Sequence, residues 1–238
     1  SNTAVGAGSL ESVTTASANT AVGRTALQNN TGANNTAVGH ASLQDNTTGT
    51  QNVAVGYAAA NSNTTSNAIT AVGYNSLTNT TGGENTAVGY NSLALNTSGI
   101  NNVAVGSRSL DANTTANNNT GVGYASLGAN TTGASNVALG TASLQVNTTG
   151  NNNVAVGANT LDANTTASNN TAVGHQALTA NTTGTQNTAV GSLALDDGTT
   201  ANFNTGIGYG ALGANTEGSS NTAVGRFAAK TSTTASNI

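Results

Sequence analysis

Few side chains in this sequence are equipped for chemistry, and their spacing limits what that chemistry could be. Glu11, Asp111, Asp162 and Asp196 each stand five residues after a recurring glycine, but in the first, seventh, tenth and twelfth copies of the pattern. Acids so distributed do not meet, whereas a calcium-binding solenoid needs them in every turn, so they read as solvated charges. His40 and His175 each follow the glycine by one residue, eight copies apart. At ~4.8 Å per copy that separation is far too large for one metal to bridge within a chain. The remaining metal geometry is three copies of one histidine around an oligomer axis. No Ser-His-Asp grouping can be assembled around either histidine, and no Gly-x-x-x-x-Gly-Lys phosphate loop is present. The sequence therefore predicts no enzyme, no catalytic residue, no metal and no cofactor, and no repeat departs enough from its neighbours to build a pocket.

Two other columns are candidates for surface recognition. Tyr57, Tyr74 and Tyr90 occupy the position after the glycine in consecutive copies, and Tyr124 follows two copies later. Such rings either stack along the repeat as structure, the favoured reading, or present a ligand strip. Thr stands eight after the glycine in every copy, including Thr47, Thr64, Thr81, Thr97, Thr114, Thr131, Thr148 and Thr165. Asn precedes this Thr and Gly or Ala follows shortly, which is turn chemistry, so the ladder is expected to support turns. An alternative is that regularly spaced Thr hydroxyls and methyls order water, since the low charge and Thr ladders look like those of several ice-binding solenoids.

The elements that position these columns follow from the repeat. The glycine of Asn-Thr-Ala-Val-Gly recurs from Gly6 to Gly225 at 17-residue intervals, with 16 residues only before Gly39 and Gly89. Fourteen coils of 16–17 residues account for all 238 residues, giving a single repeat domain, 1–238, with no caps. That organisation is expected of a segment of a longer fibre or of a filament subunit. Short β-branched alternation before the glycine and a second short segment ending at Leu predict an all-β, parallel β-solenoid with two or three short strands per coil. The expected core ladder is the Val before the glycine (Val5, Val22, Val38, Val55, Val72, Val88, Val105, Val122) and the Leu four after it (Leu27, Leu43, Leu77, Leu93, Leu110, Leu127). Asn four before the glycine, replaced once by Ile69, is expected to stack as a side-chain ladder.

Composition fits this picture. Charged residues make up 5% and aromatics 3% of the chain, and Cys, Met, Trp and Pro are absent. A charge repeated in every coil would repel its own copies. Arg24, Arg108, Arg226 and Lys230 form no cluster and the net charge is −4, so nucleic acid is not an expected partner. No apolar run is long enough to span a membrane. One Val and one Leu per coil bury little apolar area against the cost of ordering the chain. The small Ala two before the glycine is therefore read as a flat surface for close approach by another copy, predicting a homo-oligomer.

Asn-Thr-Ala-Val-Gly-Tyr-Asn-Ser-Leu at Asn85 to Leu93 resembles the Asn-Ser-Val-Ala-Ile-Gly head repeats of trimeric autotransporter adhesins. It is similar, too, to the Asn-Thr-Ala-Ile-Gly-Tyr-x-Ala-Leu repeats of phage tail-fibre and related surface proteins. The resemblance covers every coil and implies a left-handed, homotrimeric β-roll outside the cell, on its surface or on a virion. It implies a rigid, non-catalytic structural or adhesin segment, with a cell-surface or glycan receptor as candidate partner.

Overall fold

The computed structural model describes residues 1–233. Its coils divide into two compact units, 1–118 and 119–238. Within the first, seven three-residue strands follow one another: β1 (Thr3–Val5), β2 (Thr20–Val22), β3 (Thr36–Val38), β4 (Val53–Val55), β5 (Thr70–Val72), β6 (Thr86–Val88) and β7 (Val103–Val105). Within the second lie β8 (Thr120–Val122), β9 (Val137–Leu139), β10 (Val154–Val156), β11 (Thr171–Val173), β12 (Thr188–Val190), β13 (Thr205–Ile207) and β14 (Thr222–Val224). The described residues contain no helix.

Each strand pairs in parallel with its successor inside its unit, like residue on like residue. Thr36 faces Val53, Ala37 faces Ala54 and Val38 faces Val55, and the same register runs from β8 to β14. The fold is thus an all-β parallel solenoid with one strand per coil. Where a coil has 16 residues, the missing one falls in the turn after the conserved Thr: Asn46-Thr47-Thr48-Gly49 becomes Asn30-Thr31-Gly32. The carbonyl of Gly32 still receives Asn30 Nδ2 at 2.8 Å, as Gly49 receives Asn46 Nδ2 at 3.0 Å. Strand register survives because the deletion is absorbed on the outer rim.

The second strand expected before Leu does not form. The chain from the motif glycine to Leu is instead a run of turns, with Ser42 N–H reaching Gly39 O and Asn46 N–H reaching Leu43 O. Ala41 (φ 57°) and Leu43 (φ 48°) are both left-handed, and the equivalent pair recurs along the chain. Only Gly and Asn adopt that conformation cheaply, so a Leu held there is fixed by what its side chain buries. The motif glycine has a separate reason to be glycine. At Gly56 φ is +136°, and a Cβ would meet the Gly73 carbonyl oxygen at 2.3 Å.

The strand phase corrects the expected core. In β2 to β13 the middle residue, Ala or Gly, is buried and its two neighbours are half-buried or exposed. Val22, Val38, Val55, Val72, Val88 and Val122 are half-exposed, and Val5 and Val105 are exposed, so this column is not core. The Ala column, read above as an external contact surface, points into the coil. A Cβ on Gly206 would lie 3.3 Å from the Leu195 side chain. The physical reason is space: a coil this narrow accepts a methyl beside Leu, and the β-branched residues go to the outer face of the strand, where they fit the pleat. Leu27, Leu43, Leu77, Leu93, Leu110 and Leu127 are fully buried, as expected.

Candidate functional surfaces

Much of the interior is polar, and its hydrogen bonds explain why the repeat keeps asparagine. Asn35, Asn52, Asn136 and Asn153, all four before a motif glycine, are fully buried. Asn136 Oδ1 accepts the Asn153 backbone N–H at 2.9 Å, and Asn136 Nδ2 donates to the Gly150 carbonyl at 2.8 Å. A second column, seven after the glycine, is equally buried: Asn147 Nδ2 donates to Asn130 Oδ1 at 2.8 Å and to Gly150 O at 3.1 Å. Two amide ladders therefore converge on one carbonyl per coil and satisfy one another, as buried polar groups must. The Asn of this second ladder stands in ten of the fourteen coils.

The Thr column sits on the turn beside that ladder. Thr47 Oγ1 donates to Thr64 O at 2.9 Å, Thr81 to Thr97 O at 2.8 Å and Thr97 to Thr114 O at 2.9 Å. In the second unit Thr131 donates to Thr148 O and Thr148 to Thr165 O, each at 3.0 Å, and Thr165 to Thr182 O at 3.4 Å. Those hydroxyl protons are spent along the ladder rather than offered outward.

The aromatic column is longer than the tyrosines alone. His40 stacks on Tyr57 (centroids 5.2 Å apart), Tyr57 on Tyr74 (5.0 Å) and Tyr74 on Tyr90 (5.6 Å). The ring faces cover one another, while Tyr57, Tyr74 and Tyr90 remain about half exposed at their edges. Tyr124, in the other unit, is also exposed. Near the end of the second unit, Phe227 lies edge-on to Tyr209 with Arg226 and Lys230 over its ring.

Two of the four column acids are held by the next coil of their own column. Gln28 Nε2 donates to Glu11 at 2.7 Å, and Thr179 Oγ1 to Asp162 at 2.8 Å. Burial pushes the Asp111 carboxyl up from its ordinary value, against the pull of Arg108; burial, with Asp197 beside it, does the same for Asp196. Among the described residues no three His, Cys, Asp or Glu side chains gather as a metal site would require, and no helix is long and apolar enough to cross a membrane.

One expectation about the repeat is overturned. The Gly73 coil does depart from its neighbours, and a cavity of about 400 Å³ opens beside it, lined in part by Gln51, Ser66, Asn67, Glu84 and Ile100.

The outer strand face is a regular surface in each unit. Thr20, Thr36, Thr70 and Thr86 alternate there with Val22, Val38, Val72 and Val88, with valine replacing the threonine at Val53 and Val103. Among the described residues these Thr hydroxyls have no hydrogen-bond partner. No family model matches the chain, and no curated protein matches it.

Proposed function

We propose that this chain is a non-catalytic fibre or adhesin segment, built to associate with copies of itself and to hold an attachment surface away from a cell or virion. The observation that carries the reading is the outward turn of the Thr/Val strand face. Nearly every coil adds one β-branched pair (β9 has Val137 with Leu139), uncharged and at least partly exposed, in register with the next coil of its unit. A monomer gains nothing by leaving such a column in water, since burying it would contribute about 25 cal/mol per Å² of apolar area. The partner best matched to a ~4.8 Å repeat is another surface with the same repeat, which a second copy of this chain supplies. Three chains wound left-handedly, strand faces inward, is the arrangement the adhesin resemblance favours. The ladders of buried amide and Leu would make each coil a self-contained spacer, consistent with an extracellular stalk or head.

Sedimentation equilibrium of the native chain and of Val55→Lys/Val72→Lys/Val88→Lys tests this. The native chain should sediment as a trimer and the variant as a monomer with the native far-UV spectrum. A monomeric native chain, or a variant of unchanged mass, would refute the reading.

A second reading rests on the same face. If no copy covers it, partnerless Thr hydroxyls beside Val methyls at a regular spacing present an ice-binding surface, a different column from the turn threonines. Thermal hysteresis by native protein, lost in the triple Lys variant while the mass stays monomeric, would select it.

A further inference from the structure

Departure from the repeat is concentrated in one coil. Around Gly73, Ile69 replaces the first ladder Asn, Thr80 replaces the second, and the turn Thr80-Thr81-Gly82-Gly83-Glu84 is one residue short. The Gly23 coil is equally short but keeps both Asn19 and Asn30. Thr80 joins the inner ladder on one side only: its Oγ1 donates to Gly82 O at 2.9 Å and accepts Asn96 Nδ2 from the next coil at 3.1 Å. The outer rim is pared back here, and the 400 Å³ cavity lies at this notch.

The notch gathers polar groups that the chain does not use. Ser66 is buried, and its Oγ has no partner. The Gln51 carboxamide and the Glu84 carboxylate have none among the described residues. Asn67 Oδ1 holds both the N–H and the hydroxyl of Thr50, at 2.7 and 2.9 Å, which leaves its Nδ2 to donate elsewhere. Ile100, exposed, adds one apolar surface.

The chemistry of this set narrows the ligand. A volume of about 400 Å³ falls within the ~300–1,000 Å³ usual for small-molecule sites, but those sites are mostly apolar and this lining is mostly amide, hydroxyl and carboxylate. The single charge is negative, which disfavours phosphates and other anions, and one carboxylate is too few for a metal. Dense, mixed donors and acceptors beside one apolar side chain suit a ring that carries hydroxyls on its rim and C–H groups on its face. We propose that the notch binds a neutral mono- or disaccharide, with the exposed Glu84, Gln51 and Asn67 Nδ2 hydrogen-bonding neighbouring hydroxyls and Ile100 against the ring face. This rests on the attachment reading only for its biological meaning and supplies that reading with a ligand class.

The test is calorimetric titration of the native full chain with glucose, galactose, mannose, N-acetylglucosamine and their β-linked disaccharides. Saturable binding of at least one is expected, with one site per chain. Glu84→Gln should weaken it roughly tenfold, about 1.4 kcal/mol. A Thr inserted between Thr81 and Gly82, restoring the turn most other coils use, should abolish it with sedimentation mass and far-UV spectrum unchanged. No saturable binding by any probe up to millimolar concentration, or binding unaltered in both variants, would overturn the proposal. Either result leaves the oligomer measurement standing, so the two readings fail separately.

Discussion

Replacing Asn136 by Ala isolates one rung of the buried amide ladder. Asn136 Oδ1 accepts two donors, Asn153 N–H at 2.9 Å and Asn153 Nδ2 at 3.2 Å, and its own Nδ2 donates to Gly150 O. Two of these three bonds have substitutes in the variant. Asn153 Nδ2 keeps Ala167 O at 2.8 Å, and Gly150 O keeps Asn147 Nδ2 at 3.1 Å. The group orphaned is the Asn153 backbone N–H, buried with its residue. One buried donor left without a partner costs about 1–3 kcal/mol, so the central expectation is ~2 kcal/mol. Repeat arrays can unfold coil by coil, which makes a single melting temperature a blurred readout. Native-state amide exchange reads the local cost instead. At ~1.4 kcal/mol per tenfold, the Asn153 amide and its immediate neighbours should exchange roughly 30-fold faster, with coils several turns away unchanged. An Asn136→Ala chain with native exchange at Asn153 would refute the ladder reasoning. So would uniform acceleration across the unit, because the loss would then not be local.

Other expected outcomes follow from the same geometry. Leu161→Ala removes a fully buried side chain and should cost about 2–5 kcal/mol, measured as increased exchange or a lower denaturant midpoint for its unit. Asp111→Asn should act in the opposite direction at neutral pH. The Asp111 carboxyl titrates above its ordinary 3.8 because burial penalises the charged form. The folded chain therefore holds that proton more tightly than the unfolded one, and stability is lost as pH rises from 3.8 through the raised folded value. The Asn variant should be more stable than the native chain at pH 7 and equal to it well below pH 3.8, in paired denaturant titrations.

The sequence revealed the coil length, the parallel like-on-like register and the Leu column, because a fixed period with one large side chain in twelve of the fourteen coils leaves little freedom. It misassigned the strand phase. Thr-Ala-Val alternates in either sense, and hydrophobicity alone favours Val inside. Parity was the signal available: Ala shares its phase with the Asn two residues earlier, so an amide ladder pointing inward carries Ala inward with it. The second strand does not form, and left-handed Leu43 and Ala41 carry no marker of this in side-chain type. Only burial of Leu, seen in three dimensions, explains that conformation. The notch went unread because Ile69, Thr80 and the short turn look like three unrelated slips until they fall in one coil beside Ser66 and Gln51.

The outward strand column bears most of the functional argument, and the absence of native cysteine lets it be probed directly. Single variants Ala71→Cys and Val72→Cys, adjacent in β5, should respond in opposite ways to mild oxidation and to a thiol reagent. Cysteine at 72 should cross-link between copies of the chain, while cysteine at 71 stays unreactive until the protein is unfolded. Reaction at 71 with protection at 72, or a freely labelled 72 that never joins two chains, would contradict the account.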